Sequence, residues 1–271
     1  MLLQRKTAFV SGGSTGIGFA IAKDFVLEGV NVVIFARNQH KLTDALHELK
    51  QHAAQHQKIE AFSLDVTDNE AVKNCFNKVI ENIGAPDILI NCVGIAQPHH
   101  FEQITYASFD KTIHANLYSM WNTIAAALPH MKKNGGHIIN TSSIAGYLGV
   151  YGYTDYCMTK FGIIGFSEAL RQELHQYNIK VSILCPPDTD TPGLAEENKT
   201  KPEETKAIGG KAKLMEPEEV SKAVIKALKN GDKLILPGFD SKITWILKRF
   251  FPGLAERIMM SAIKKVQKQR I

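Results

Sequence analysis

Short apolar runs alternate with stretches of helical periodicity from the N-terminus to about residue 185. The apolar runs predict β-strands, and the periodic stretches predict helices. The strands are predicted at residues 6–10, 31–36, 59–64, 87–91, 137–141 and 180–185. The helices are predicted at residues 19–28, 39–55, 68–82, 106–132 and 156–177. This alternation is typical of parallel strands joined by crossover helices, so it predicts a single α/β domain with a Rossmann-type doubly wound parallel sheet.

Residues 241–271 carry a different pattern and predict two C-terminal amphipathic helices, separate from the α/β domain, which is assigned to residues 1–240. The first helix has a stripe at spacing i, i+3, i+4, i+7, i+8, formed by Ile243, Ile246, Leu247, Phe250 and Phe251. After a break at Pro252-Gly253, a second stripe follows, formed by Ile258, Met259, Ala262, Ile263 and Val266. Two interpretations stay open. The stripes pack on the body or a second subunit, or they lie in a lipid interface with basic residues near anionic headgroups.

Charge and cysteine usage narrow the class of protein. The net charge is +5, but residues 241–271 hold eight Lys/Arg against one acidic residue, so the body is slightly acidic and a nucleic-acid partner is not expected. The four cysteines are scattered and lack CxxC spacing, which is typical of reduced thiols and predicts a cytoplasmic location. If the tail lies in a lipid interface, the protein is expected at the cytoplasmic face of the membrane as a peripheral protein. The predicted first strand begins too early to leave room for a signal peptide, and no apolar run approaches the roughly 20 residues of a membrane span.

A glycine-rich turn follows the first predicted strand and opens the first predicted helix. Backbone N–H groups and the positive end of a helix dipole would meet nucleotide phosphates there. The alternative is a tight turn that needs positive φ, but three spaced glycines directly after strand one favour a cofactor site. The residues expected to contact the cofactor here are Gly12, Ser14, Thr15, Gly16, Ile17 and Gly18.

The end of the second predicted strand points to NADPH as the cofactor. Sheets that bind NAD place an acidic residue there for the ribose 2′-hydroxyl, whereas this chain has Arg37, which fits a 2′-phosphate. Lys41 adds a second cation or is simply a solvated surface lysine. Asp65 and Val66, at the end of the third strand, are predicted to bracket the adenine.

Tyr156 and Lys160 are the candidate chemical groups, because they are four residues apart and share one helix face. A nearby ammonium favours the ionised phenol and is expected to lower the pKa of Tyr156 from its usual value of about 10, which would make it a general acid. Other polar candidates also follow predicted strands, and carboxyl ends of parallel strands share the edge where ligands bind. These candidates are the glycine turn, Arg37, Asp65, Asn91, Ser143 and Pro186.

Together these motifs resemble the short-chain dehydrogenase/reductase family over residues 5–193. The resemblance is carried by the glycine turn, Asn91-Cys92-Val93-Gly94, Asn116, Thr141-Ser142-Ser143 and Tyr156-x-x-x-Lys160, in that order and spacing. Residues 185–198, from Cys185-Pro186-Pro187-Asp188 to Glu197-Asn198, together with Arg37 and Lys41, resemble the 3-ketodihydrosphingosine reductases within that family. The sequence departs only mildly from the usual residues of the family. Ser11 replaces a threonine, Cys92-Val93 replaces Asn-Ala, and Pro187 replaces a glycine.

The resemblance implies roles for individual residues. Tyr156 would donate a proton to a carbonyl oxygen that Ser143 also holds. Lys160 would lower the Tyr156 pKa and hold the nicotinamide ribose, Asn116 would anchor a water relay, and Thr191 would hold the carboxamide. Further cofactor positions are Asn91, Gly94, Pro186 and Thr189. A homodimer or homotetramer through the two long helices is expected.

The expected function is NADPH-dependent reduction of the ketone of 3-ketodihydrosphingosine, a lipid substrate. Reduction of another ketone, such as a 3-oxoacyl or steroid-like compound, and a non-catalytic nucleotide sensor remain alternatives. Residues 189–214 are expected to form a mobile lid over the substrate. No metal is expected, since His99-His100 lacks a partner at zinc spacing.

Overall fold

A seven-stranded parallel sheet forms the centre of the molecule in the computed structural model, which describes residues 2–210 and 213–269. The strand order is β3-β2-β1-β4-β5-β6-β7. The strands are β1 (Thr7–Ser11), β2 (Asn31–Ala36), β3 (Ile59–Ser63), β4 (Ile88–Asn91), β5 (Gly136–Thr141), β6 (Ile179–Leu184) and β7 (Leu234–Ile235). The order reverses between β1 and β4, so the connections diverge there and leave a crevice at the carboxyl edge.

Helices cover both faces of the sheet, because each parallel connection needs a crossover. The helices of the body are α1 (Gly16–Leu27), α2 (Gln39–His52), α3 (Asn69–Ile83), α4 (Tyr106–Ile113), α5 (Ser119–Met131), α6 (Thr154–Leu174), α7 (Pro192–Asn198), α8 (Glu203–Gly209) and α9 (Pro217–Asn230). Two helices follow β7, α10 (Gly238–Phe250) and α11 (Pro252–Lys268). The predicted α/β class and doubly wound parallel sheet are confirmed.

Alternate residues of each central strand enter two separate cores. In β1, Val10 belongs to the core under α1, α2 and α9, whereas Phe9 belongs to the core under α3, α5 and α6. Phe9, Phe35 and Phe76 form an aromatic group in the second core, with ring centroids 4.8 to 5.5 Å apart. Strands that are buried on both faces have continuous apolar sequences, which is why these strands could be predicted from the apolar runs of the chain.

Local signals set several helix ends. The Asn38 side chain accepts from Lys41 N at 3.0 Å to begin α2, and Asp68 does the same for Ala71 N to begin α3. A capping box of Glu216 and Glu219 begins α9, and Gly231 ends it in the left-handed conformation.

The predicted elements agree with the structure to within a few residues, with three differences. The expected long helix at 106–132 is interrupted by a π-helical turn, His114–Tyr118, that separates α4 from α5. Neither β7 nor α9 was predicted; β7 is a two-residue edge strand, which carries almost no periodic signal. The predicted lid contains the short helices α7 and α8; residues 211 and 212 of that segment lie outside the described residues.

The two tail helices pack on the body through one side only. Trp245, Leu247 and Met259 contact a core that includes Tyr147 and Leu148. A set of large apolar side chains stays exposed on the other side, formed by Phe239, Ile243, Ile246, Phe250, Phe251, Leu254 and Ile258. Within the described ranges, none of the helices has the length and apolar character needed to span a membrane.

Candidate active site

Two adjoining cavities lie at the carboxyl edge of the sheet. The first, of about 380 Å³, is lined by the glycine turn and the ends of β2 and β3; we call it the nucleotide cavity. The second, of about 440 Å³, is lined by the loops after β5 and β6 and by α7; we call it the substrate cavity. Ile17, Gly94, Ile95 and Thr191 line both, so a ligand in one cavity can contact a ligand in the other.

The glycine turn brings backbone close to backbone at the nucleotide cavity. Gly12 and Gly16 have φ values of +75° and +57°, and a Cβ on Gly12 would lie 3.1 Å from the carbonyl carbon of Cys92. Among the described residues, none accepts a capping hydrogen bond from or donates one to the Thr15 side chain at the start of α1. The first-turn amides are therefore available to an anionic ligand, and the turn fits a dinucleotide pyrophosphate.

Basic side chains line the far end of the nucleotide cavity, where Arg37 and Lys41 project from the β2–α2 connection. Arg37 Nη1 lies 3.9 Å from Asp65 Oδ2, and both side chains are well exposed. Burial alone would raise the pKa of Asp65, but hydrogen bonds from Thr67 N and Oγ1 and the charge of Arg37 lower it overall. Asp65 is therefore ionised at neutral pH and balances part of the Arg37 charge.

Ser143 and Tyr156 meet in the substrate cavity. Ser143 follows β5 and its hydroxyl hydrogen-bonds the Tyr156 phenol, which the first turn of α6 presents to the same cavity. Neighbouring Ser142 also lines this cavity, but it is buried and donates its hydroxyl to Lys160 O at 2.8 Å. The two hydroxyls of Ser143 and Tyr156 form a pair of groups that can hold one carbonyl oxygen, and Tyr156 can also donate a proton to it.

The expected effect of Lys160 on Tyr156 was wrong for this structure. Burial raises the pKa of Tyr156 well above that of a free phenol, the charge of Glu197 raises it further, and only the hydrogen bond with Ser143 lowers it appreciably. Lys160 Nζ lies 5.5 Å from the Tyr156 ring centroid and donates instead to Thr141 O at 3.0 Å. The Tyr156 phenol is thus neutral at physiological pH, as a proton donor must be.

Lys160 and Asn116 meet beneath Gly94. A Cβ on Gly94 would lie 3.2 Å from both Lys160 Nζ and Asn116 Oδ1. Burial lowers the pKa of Lys160 to about 8. Asn116 sits in the π-helical turn and is fully buried; its side chain accepts from Ile95 N and donates to Ile95 O and to Thr159 Oγ1. Asn116 therefore fixes the loop after β4 and lines neither cavity, and the water relay remains a prediction.

Most of the predicted site residues line one of the two cavities, although Pro186 and Thr189, which were predicted as cofactor positions, line the substrate cavity and not the nucleotide cavity. The nucleotide cavity contains Gly12, Ser14, Thr15, Gly16, Ile17, Gly18, Arg37, Lys41, Asp65, Val66, Gly94 and Thr191. The substrate cavity contains Ser143, Tyr156, Lys160, Pro186, Thr189 and Thr191. Asn91 lines neither cavity: it is buried between strands, with its amide donating to Asn140 Oδ1 at 2.9 Å and its oxygen accepting from Thr123 Oγ1 at 2.7 Å.

Three residues of the substrate cavity region were missed as site residues. Glu197 accepts a short hydrogen bond from the Tyr153 hydroxyl and pairs with Lys201 at 3.1 Å, and Lys201 also contacts Asp188 at 3.4 Å. The Tyr153 and Tyr156 ring centroids lie 5.6 Å apart. Asp188 and Glu197 lie within residues 185–198, whose resemblance to the 3-ketodihydrosphingosine reductases drew attention to the segment but gave neither carboxylate a role, and no motif covers Lys201.

The residues His99 and His100 give no sign of a metal site. His100 Nδ1 contacts the Tyr151 hydroxyl at 3.0 Å. Across residues 2–210 and 213–269, His, Cys, Asp and Glu side chains form no group that could hold a metal ion. The expectation that no metal is bound stays a prediction.

A parallel sheet that places a glycine-lined nucleotide cavity beside a Ser–Tyr–Lys group defines a nicotinamide-dependent oxidoreductase. Residues 6–202 match the family described as short chain dehydrogenase. The chain therefore belongs to the short-chain dehydrogenase family, as the motifs predicted.

Individual relatives agree with this assignment. The chain is 38% identical to a 3-ketodihydrosphingosine reductase of Mus musculus over 226 residues, which cover 82% of this chain and 68% of the relative. It is 35% identical to a 3-ketodihydrosphingosine reductase of Dictyostelium discoideum, with 93% and 79% covered. Among solved structures, an alcohol dehydrogenase of Thermococcus sibiricus complexed with 5-hydroxy-NADP matches with a TM-score of 0.73 and 27% identity, over 83% of this chain and 91% of that one.

Proposed function

We propose that this chain reduces the ketone of 3-ketodihydrosphingosine to dihydrosphingosine with NADPH. The observation that carries the proposal is the pairing of Ser143 and Tyr156 hydroxyls in a cavity that adjoins the glycine-lined nucleotide cavity. The similarity to relatives named as 3-ketodihydrosphingosine reductases supports the choice of substrate.

The chain's own residues would divide the work as follows. Ser143 holds the carbonyl oxygen, and Tyr156 gives it a proton as negative charge develops. Lys160, buried under Gly94 and held by Thr141 O, binds the nicotinamide ribose and keeps it beside Tyr156. Thr191 lines both cavities, where it can hold the carboxamide. NADPH supplies the hydride when it is bound.

The proposal of NADPH rather than NADH rests on the basic end of the nucleotide cavity. Arg37 presents its guanidinium there, with Lys41 nearby, and a guanidinium pairs well with a phosphate. The Asp65 carboxylate lies 3.9 Å from the Arg37 guanidinium, so it is paired with a cation and is not a free acceptor for a ribose hydroxyl.

The decisive experiment follows NADPH oxidation by the full chain with a panel of ketones. The panel contains 3-ketodihydrosphingosine, a 3-oxoacyl thioester and a steroid ketone. We expect 3-ketodihydrosphingosine to have the highest kcat/KM. A higher value for another ketone would replace the substrate, and nucleotide binding without oxidation of NADPH by any ketone would favour a nucleotide sensor.

We further propose that the exposed side of α10 and α11 contacts the surface of an anionic membrane on its cytoplasmic side. Large apolar residues, including Phe250 and Phe251, are more than half exposed there, and Lys248, Arg249 and Arg257 flank them. The same helices pack on Tyr147 and Leu148, which follow Ser143 by four and five residues. A lipid substrate at this surface would therefore start close to the substrate cavity.

Liposome flotation tests the membrane contact without disturbing the core. The variant Phe250→Ser/Phe251→Ser changes only exposed side chains, and removal of residues 241–271 is the extreme comparison. We expect the wild type to float with anionic liposomes and the double variant to float much less. Equal flotation of both would rule out this surface, and a loss of self-association without a loss of flotation would assign it to a subunit contact.

We also propose a homodimer or homotetramer through the two long helical segments. Trp121, on α5, and Met158 and Phe161, on α6, are 44 to 57% exposed, an apolar surface suited to a second copy. Sedimentation velocity of the wild type and Trp121→Glu should show a dimer or tetramer for the first and a smaller species for the second.

A further inference from the structure

A carboxylate faces the proton donor across the substrate cavity. Glu197 projects from α7 with only 15% of its side chain exposed, and it lines the cavity together with Tyr156 and Ser143. Its oxygen accepts from the Tyr153 hydroxyl, and the Tyr153 ring is next to the Tyr156 ring, with centroids 5.6 Å apart. The carboxylate is thus held in one place by a residue that itself packs against the proton donor.

The surroundings balance the charge of Glu197 only in part. Lys201 Nζ lies 3.1 Å from Glu197 Oε1 but also contacts Asp188 Oδ2 at 3.4 Å, so one ammonium is shared between two carboxylates. Both carboxylates raise the pKa of Tyr156. A buried negative charge next to a proton donor makes that donor a weaker acid, so a cation between the two would favour proton transfer.

On the basis of the proposed function, we infer that Glu197 binds the ammonium group on the carbon next to the substrate's ketone and thereby selects 2-amino ketones. In such a substrate the carbonyl and amino groups are on adjacent carbons, so a carbonyl oxygen held by Ser143 and Tyr156 places the nitrogen in the same part of the cavity as Glu197. The ammonium then offsets the negative charge that faces Tyr156.

The test compares two ketones that differ only in the amino group, 3-ketodihydrosphingosine and 1-hydroxyoctadecan-3-one. Charge-assisted hydrogen bonds of this kind correspond to about tenfold to a hundredfold in kcat/KM. We expect the wild type to prefer the amino ketone by that factor. Glu197→Gln keeps an oxygen acceptor for Tyr153 but removes the charge, and should lose most of the preference, chiefly through a higher KM for the amino ketone.

Glu203→Gln is the matched control, because it removes one charge from a glutamate on α8 that lines neither cavity, is 62% exposed and pairs with Lys206. It should leave the preference unchanged within about twofold, as expected for a screened surface charge. Tyr153→Phe distinguishes binding of the ammonium by Glu197 from a structural role of the Tyr153–Glu197 hydrogen bond. It removes that hydrogen bond but keeps the carboxylate, so it should retain a preference for the amino ketone.

The pH profile gives a second readout that a purely structural role would not change. α-Amino groups have pKa values of about 8, so at NADPH concentrations that saturate the enzyme throughout the range, the KM of the wild type for the amino ketone should rise as the pH increases from 7 to 9. Glu197→Gln should lose this rise, and the ketone without the amino group should not show it.

Each outcome has a distinct meaning. Equal loss of activity by Glu197→Gln on both ketones, or equal loss of preference in Tyr153→Phe and Glu197→Gln, would overturn the role of Glu197 and leave the reductase standing. If the wild type reduced both ketones equally well, the role of Glu197 would likewise be overturned and the proposed reductase activity would stand. A wild type that reduces neither ketone would overturn the proposed function itself.

Discussion

The nucleotide cavity and the substrate cavity share a wall but are built in different ways. The nucleotide cavity is lined by the glycine turn after β1 and by residues at the ends of β2 and β3, and the Arg37 and Asp65 side chains that line it are solvent-exposed. The substrate cavity brings together a loop after β5, the first turn of α6 and the short helix α7. Its titratable groups Tyr156, Lys160 and Glu197 are desolvated, and burial is the largest cause of each of their pKa shifts.

This difference separates recognition from chemistry. The Arg37 side chain is exposed at the nucleotide cavity, where its planar guanidinium can pair with a phosphate. Buried groups respond to one another, so the acidity of the proton donor depends on which charges share its cavity. Variants in the nucleotide cavity should therefore lose affinity for the cofactor, whereas variants in the substrate cavity should lose turnover.

The largest effect is expected for Tyr156→Phe. Removing the hydroxyl removes the proton donor and one of two groups that hold the carbonyl oxygen, so kcat should fall by about a thousandfold. The dissociation constant of NADPH should change little. Single-turnover kinetics and fluorescence titration of NADPH measure the two quantities. A comparable loss of NADPH affinity would mean that the two cavities are not functionally separate.

A smaller effect of the opposite kind is expected for Arg37→Ala. Loss of charge-assisted hydrogen bonds to a 2′-phosphate should raise the dissociation constant of NADPH by about tenfold to a hundredfold. The dissociation constant of NADH and kcat at saturating NADPH should be nearly unchanged. Lys41→Ala, at the same end of the cavity, is the comparison variant. An equal loss of affinity for NADH and NADPH would contradict recognition of the phosphate by Arg37.

The smallest effect concerns pH. Burial lowers the pKa of Lys160 to about 8, so its charged form predominates below pH 8 and is lost as the pH rises through that value. An anionic nucleotide should therefore bind a few-fold more weakly at pH 9 than at pH 7, with uptake of a proton on binding. Isothermal titration in buffers of different ionisation enthalpy measures this uptake. Lys160→Met should remove the difference, whereas a pH dependence that survives in this variant would assign it to another group.

Sequence reasoning found the nucleotide cavity almost completely, because its residues lie within a few positions of strand ends. Gly12, Arg37 and Asp65 were each assigned from what precedes them along the chain. The errors fell where the partner is remote in sequence. Asn91 is the last residue of β4, and its side chain contacts Thr123 and Asn140 inside the protein and lines neither cavity. The expectation that Lys160 lowers the pKa of Tyr156 was wrong, because burial and the charge of Glu197 raise that pKa.

The sequence by itself determined the parallel sheet, the edge that binds ligands and the identity of the Ser–Tyr–Lys group, since periodicity and strand-end position are local properties of the chain. Only the tertiary structure decided the electrostatics of the substrate cavity. Glu197 is more than forty residues from Tyr153 and Tyr156, and both its hydrogen bond with Tyr153 and its effect on the pKa of Tyr156 depend on where the tertiary structure places α7. The energy of a buried charge depends on distance and desolvation in space, which the order of residues does not specify.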